Sequence, residues 1–172
     1  MNESMRKIPL VLLLWALTGT ARARLGETME QCTERYGPVI EKRQRLLPQS
    51  DTDTAVFSKS GVTIVVEFHQ GLAWHITFRK PIMQDEEIDA LLQANASGGK
   101  WSVPLKYGDA EYRLAGDRKR MAVSYFAEKG VSRVEVMLRE YSELYRANYL
   151  ARLKNPTPSD GSKNKTNPLP GF

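Results

Sequence analysis

Between Val62 and Phe78 the chain reads VTIVVEFHQGLAWHITF, two alternating runs on either side of a glycine. Val62, Ile64, Val66 and Phe68 fall on one face of the first run. Leu72, Trp74, Ile76 and Phe78 fall on one face of the second. A helix would scatter these side chains around its circumference, so the pattern demands an antiparallel hairpin with one buried face. If Phe68 stands opposite Leu72, the loop is His69-Gln70-Gly71, and Gly71 takes the positive φ that a short hairpin loop needs. The other face then carries Thr63, Val65, Glu67, Ala73, His75, Thr77 and Arg79, and is expected to meet solvent.

The rest of the chain is organised around that hairpin. Upstream, Leu25, Met29, Cys32 and Tyr36 are spaced four, three and four apart, one face of a helix that Gly26 or Thr28 starts and Gly37-Pro38 stops. Residues 39–53 read as a polar connector, and Ala55 to Lys59 as a short strand turning at Ser60-Gly61. Downstream, MQDEEIDALLQANA predicts a second helix capped by Asp85, with Ile88, Leu91 and Leu92 as its apolar stripe. EYRLA, RMAVSYF and SRVEVML predict three more strands with a turn at Glu128-Lys129-Gly130, and about Ser142 to Leu153 predicts a closing helix. Whether Val123 and Tyr125 or Ser124 and Phe126 face inward is left open by the pattern.

Sliding the chain against itself by 58 residues lays Phe68 on Phe126, Ile76 on Val134 and Phe78 on Val136. The expected fold is therefore α+β: two tandem units, residues 24–84 and 85–154, each a helix plus a three-stranded antiparallel meander, with a C-terminal closing helix. Residues 155–172, NPTPSDGSKNKTNPLPGF, offer almost nothing to bury and are expected to be a disordered tail.

The first 23 residues are set apart from the fold. Arg6 and Lys7, the apolar run IPLVLLLWALTGT and Ala21-Arg22-Ala23 form a signal peptide pattern, with cleavage expected near Ala23. The apolar run is short of the ~20 residues a membrane-spanning helix needs. Its removal takes away Arg6, Lys7, Arg22 and Glu3, leaving 22 basic and 19 acidic residues. So small an excess is no argument for nucleic acid. One cysteine cannot form an internal disulfide, and a domain of this size does not require one.

Gly26-x-Thr28 and then Gly37-Pro38 at the end of an amphipathic helix, followed by VVEFHQGLAWHITF, resembles the SmpA/OmlA (BamE-type) outer-membrane assembly lipoproteins. The likeness covers Leu25 to Arg79. The order of two helix-plus-meander units is similar to that of the secreted β-lactamase-inhibitory proteins. Together these resemblances imply a non-enzymatic, exported, protein-binding domain. The lipoproteins carry lipid on a cysteine at the cleavage site. Here Cys32 follows Met29-Glu30-Gln31 inside the helix, so the lipid anchor is not carried over.

Candidate chemistry is sparse. Cys32 has Glu30, Gln31 and Glu34 as helix neighbours, which disfavour a thiolate, and its place in the apolar stripe predicts a packed core residue. His69 and His75 lack a third ligand at zinc spacing. Glu67 is the one acid with the setting of a cleft residue, and its pairing with a histidine in a pocket would point to a small hydrolase. No metal or other cofactor is expected. The expected contact surface is the open meander face, Glu67, His75, Thr77 and Arg79, together with Trp101 in the segment between the units. Its expected partner is another protein of the bacterial envelope or exterior, and membrane contact is at most peripheral. Arg113, Arg118, Lys119, Arg120, Lys129, Arg133 and Arg139 form an alternative basic patch for lipid headgroups or polysaccharide, although Glu111, Glu128, Glu135 and Glu140 are interleaved among them.

Overall fold

The computed structural model describes residues 24–43, 52–125 and 132–154. The leader 1–23, Phe126, the turn at 128–130 with Lys129, and the tail 155–172 lie outside the described residues. The element order is α1 (Met29–Tyr36), β1 (Glu41–Arg43), β2 (Thr52–Lys59), β3 (Val62–His69), β4 (Leu72–Lys80), α2 (Asp85–Asn95), β5 (Leu105–Tyr107), β6 (Ala110–Leu114), β7 (Arg120–Tyr125), β8 (Ser132–Leu138) and α3 (Arg139–Lys154).

The fold is α+β, but the strands do not form two three-stranded meanders. Among the described residues they make one antiparallel sheet of eight, ordered β1-β2-β3-β4-β8-β7-β6-β5. Two strands were hidden in the sequence. β1 lies inside the polar connector and β5 follows Pro104, and each has three residues. Both occupy the ends of the sheet, where one neighbour suffices. At its centre β4 pairs with β8, Ile76 opposite Val136 and Phe78 opposite Val134.

Local chemistry explains the helix ends. Thr28 caps α1, its side chain accepting from the Gln31 N–H while Gln31 reaches back to the Thr28 N–H. Gly37, at φ 91°, ends the helix in a conformation that suits glycine. α2 is capped one residue earlier than expected: Gln84 takes that position, and Glu87 accepts from its N–H. Asp85, Glu86 and Glu87 fill the first turn, where helix partial charge favours acids.

The β3–β4 hairpin is tighter than its sequence pattern implies. The turn has two residues, Gln70 (φ 52°) and Gly71 (φ 78°), so His69 rather than Phe68 stands opposite Leu72. Left alone, that register would put every later side chain of β4 on the wrong face. A β-bulge corrects it: Phe68 pairs with Ala73 and Glu67 with His75, leaving Trp74 as the extra residue. Ala73, Ile76 and Phe78 therefore share one core with Cys32, Tyr36, Ile88 and Leu92, beneath α1 and α2. Trp74 turns to the opposite side.

That opposite side is covered as well. Tyr141, Leu144 and Tyr145 of α3 pack with Trp74, Tyr112, Met121, Val123 and Met137 in a second core. The molecule thus has three layers, and the meander face expected to meet solvent does not. Glu67 is 1% exposed, His75 6% and Thr77 4%; of the four expected there, Arg79 alone is exposed. Helices on both faces also resolve the ambiguity in β7. Val123 and Ser124 point to opposite sides, and both are fully buried.

Candidate functional site

Burial brings the sheet's polar residues into one cluster beneath α3. His75 on β4 sits opposite Glu67 on β3, its Nδ1 2.7 Å from Glu67 Oε1. Glu135 on β8 lies on its other side, Oε2 3.8 Å from His75 Nε2. The Tyr141 hydroxyl of α3 donates to Glu67 Oε1 at 3.0 Å, and its ring stacks on His75 at 4.2 Å between centroids. Trp74 meets Tyr141 edge-on at 5.1 Å and stacks on His69 at 4.4 Å.

The electrostatics follow from this packing. Burial works against a charged imidazole, but the carboxylates of Glu135 and Glu67 outweigh it and lift His75 to about 9. Burial likewise opposes the Glu135 charge; His75, Arg133 and Arg79 override it and hold that carboxyl below its ordinary value. Burial, then the Glu67 charge, pushes Tyr141 upward, so its hydroxyl stays a donor. The cluster holds the His75 ring between the carboxyl groups of Glu67 and Glu135. It is incompletely satisfied. Among the described residues, Glu67 Oε2, His75 Nε2, Trp74 Nε1, His69 Nδ1 and Thr54 Oγ1 are buried without a hydrogen-bond partner.

A carboxylate–histidine pair with a shifted pKa is the chemistry expected of a hydrolase, yet here it is buried beneath Tyr141 of α3. Two grooves of about 570 and 450 Å³ lie instead beside α2. The larger is bordered by Asp89, Gln93, Trp101 and Arg113, the smaller by Asp85, Asp89, Lys106, Glu111 and Arg113. Neither touches Glu67 or His75. Trp101 is half-buried, its indole N–H donating to the Leu92 carbonyl at 2.7 Å and its backbone bridging to Ala115, so it ties α2 to the segment just after β6 as well as bordering the groove. Cys32 is fully buried and free, and burial, with Glu27 adding, pushes its thiol up to about 12. Among the described residues no group of His, Cys, Asp and Glu side chains is placed to hold a metal ion. No helix there is long and apolar enough to cross a membrane.

Among the described residues, the basic side chains of the second half are divided between the two faces of the sheet and a hairpin tip. Strand alternation sends Arg113 and Arg120 to the α2 side and Arg133 to the α3 side. Arg113 pairs with Glu111 at 2.8 Å, Arg120 with Asp117, Arg133 with Glu135 at 3.3 Å and Arg139 with Glu143 at 2.9 Å. Arg133 also lies over the Tyr125 ring at 3.7 Å. Arg118 and Lys119 stay exposed at the β6–β7 hairpin tip.

Sequence reasoning missed the exposed apolar feature altogether. Val103, Leu105 and Tyr107 are 88, 61 and 63% exposed, the last two on the edge strand β5 and Val103 two residues before it. The signal was present, three apolar residues at strand spacing, but Pro104 between them reads as a breaker. The opposite edge, β1, shows Glu41, Lys42 and Arg43, with Glu41 and Arg43 paired at 3.0 Å.

No protein-family model and no curated protein matches this chain. Among solved structures it is similar to a cysteine-rich secretory protein of Staphylococcus aureus, at TM-score 0.40 and 13% identity over 68% of this chain and 45% of that one. An extracellular protein of Bacillus anthracis containing an SCP domain gives 0.44 and 12%, over 71% and 46%. A β-lactamase inhibitor-like protein of Streptococcus mutans gives 0.30 and 14%, over 62% and 79%. The chain spans less than half of the first two. Similarity at this level has no bearing on what the chain does.

Proposed function

We propose that this chain is an exported, non-catalytic protein-interaction module whose contact surface is the β5 edge. One observation carries the reading: Leu105 and Tyr107, with Val103 just before them, stand exposed on a strand that pairs, among the described residues, with β6 alone. Free edges are normally blunted by charge because their backbone groups invite pairing. β1 follows that practice at all three positions, whereas on β5 only Lys106 is charged and apolar residues stand on either side of it. The residues able to do chemistry, Cys32, Glu67 and His75, are instead sealed in the two cores. The partner is a protein of the envelope or exterior, reached after removal of the leader 1–23. Charge pairing among the second-half arginines argues against the anionic-surface alternative.

Two tandem units underlie this architecture. Ile64 faces Phe78 and Val66 faces Ile76 in the first half. The residues 58 positions further on, Ala122 and Val136, and Ser124 and Val134, face each other in the second. Hairpin register thus supports the same offset as the sequence, with each unit a helix followed by four strands rather than three.

The test is photo-crosslinking in the producing cell, with the reactive side chain placed at Leu105, at Tyr107 or, as control, at Lys42 on β1. Defined protein adducts are expected from the two β5 positions and none from Lys42. Equal yields at both edges, or none, would overturn the reading.

A further inference from the structure

We infer that the strand the β5 edge receives is β5 of a second copy, so that two sheets join across a two-fold axis at Lys106. The inference rests on the reading of β5 as a contact surface and names the occupant.

Backbone geometry sets the register. β5 and β6 are joined by the two-residue turn Gly108-Asp109, with Tyr107 opposite Ala110, Lys106 opposite Glu111 and Leu105 opposite Tyr112. In a two-residue hairpin the closing pair exchanges hydrogen bonds and the next pair does not. The Lys106 N–H and C=O therefore point outward, away from β6. An antiparallel copy centred on Lys106 uses both, each Lys106 N–H donating to the other's carbonyl. Pro104 has no N–H to leave unpaired at this edge.

Side chains agree with that register on both faces. On the α3 side, the axis sets Leu105 beside the second copy's Tyr107 and Tyr107 beside its Leu105, covering side chains now 61 and 63% exposed. Aromatic–aliphatic cross-strand pairs of this kind stabilise sheets. On the α2 side the two lysines meet, which would repel in isolation. Here each lies by the groove of about 450 Å³ lined by Asp85, Asp89 and Glu111 against Lys106 and Arg113. Three carboxylates face two cations, and Lys106 already reaches Glu111 at 3.3 Å while remaining 77% exposed. The groove is one positive charge short, and the second copy's Lys106 supplies it.

The opposite edge explains why the assembly closes. With Glu41, Lys42 and Arg43 all exposed, β1 offers no apolar row to extend the sheet further. A β5–β5 contact is isologous and stops at two copies.

Cysteine substitution reads the register directly, because the native Cys32 is fully buried. Residues in a hydrogen-bonded antiparallel pair stand ~5.5 Å apart at Cα, within disulfide reach. Lys106→Cys should give a disulfide-linked dimer under mild oxidation. Leu105→Cys and Tyr107→Cys should link poorly alone and readily when mixed, since 105 faces 107. Sedimentation of the unsubstituted protein should show twice the chain mass, and Leu105→Glu should return it to one. Protection of Cys32 from labelling reports that each variant is folded. A monomeric protein whose Lys106→Cys thiol stays reduced overturns the second copy as occupant. If the Leu105 crosslinker then captures a different protein, the contact-surface reading stands without this inference; if it captures neither, both fall.

Discussion

On the side covered by α1 and α2, the sheet offers Phe57, Ile76, Phe78 and Val136 to other hydrocarbon, all 1% exposed or less. On the side covered by α3 it offers Glu67, His75 and Glu135, with Tyr141 pressed against them. Both faces exclude water, but only one gains by doing so without electrostatic cost. Apolar burial is favourable roughly in proportion to area. An ion cluster must recover by attraction what it loses in hydration, and rarely recovers much more. The molecule shows how similarly dry interfaces can rest on different balances.

That contrast can be broken from either side. Phe78→Ala should cost about 3–5 kcal/mol, through lost transfer and an unfilled cavity, read as a lower urea midpoint. His75→Leu should cost a comparable ~3–5 kcal/mol, because it strands Glu67 and Glu135 without their cation. The two differ in what can rescue them. Replacing Glu67, His75 and Glu135 together by leucine should leave stability unchanged or raise it by about 1–4 kcal/mol. A triple variant less stable than His75→Leu would show that the ionic face contributes more than hydrocarbon could.

Proton linkage sharpens the comparison further, because one face titrates. His75 moves from 6.5 when unfolded to about 9 when folded. Its contribution is complete below 6.5 and is lost as pH rises through 9. Glu135 is lowered below 4.5, so its contribution is present above 4.5 and lost as pH falls through the folded value. Urea midpoints should therefore be level between these limits and decline toward pH 9, and His75→Leu should remove the alkaline decline. Phe78→Ala should lower the whole profile without changing its shape. The smallest effect is expected at the edge of the apolar face. Thr28→Ala removes the α1 cap and should cost about 1 kcal/mol by the same denaturation measurement.

The sequence was legible where chemistry is local. Thr28 and Gly37 delimit α1, Cys32 takes its place in the buried stripe, and Gly71 adopts the positive φ expected of it. What misled was a single inserted residue. Alternation alone cannot announce that Trp74 is extra, so it placed Trp74 with Ile76 and left His75 facing water. α3 was visible as a helix, but nothing in SELYRANYLARL states which face of a sheet it will cover. β1 and β5 escaped notice because a three-residue strand has too few positions to show a period. The candidate surface at Glu67, His75 and Thr77 was thus read from real alternation and displaced by tertiary packing.

The seam between β4 and β8 governs the order of events during folding. The β2–β3 and β3–β4 hairpins join residues close in the chain, whereas the seam joins Thr77 to Glu135 across the whole of α2 and three strands. Contacts of that span form only after a long loop has been closed, and they slow folding more than any local pairing. Each half can therefore assemble its hairpins quickly and then wait on the other. A substitution at Ile76 or Val136 should be felt in how long that wait lasts.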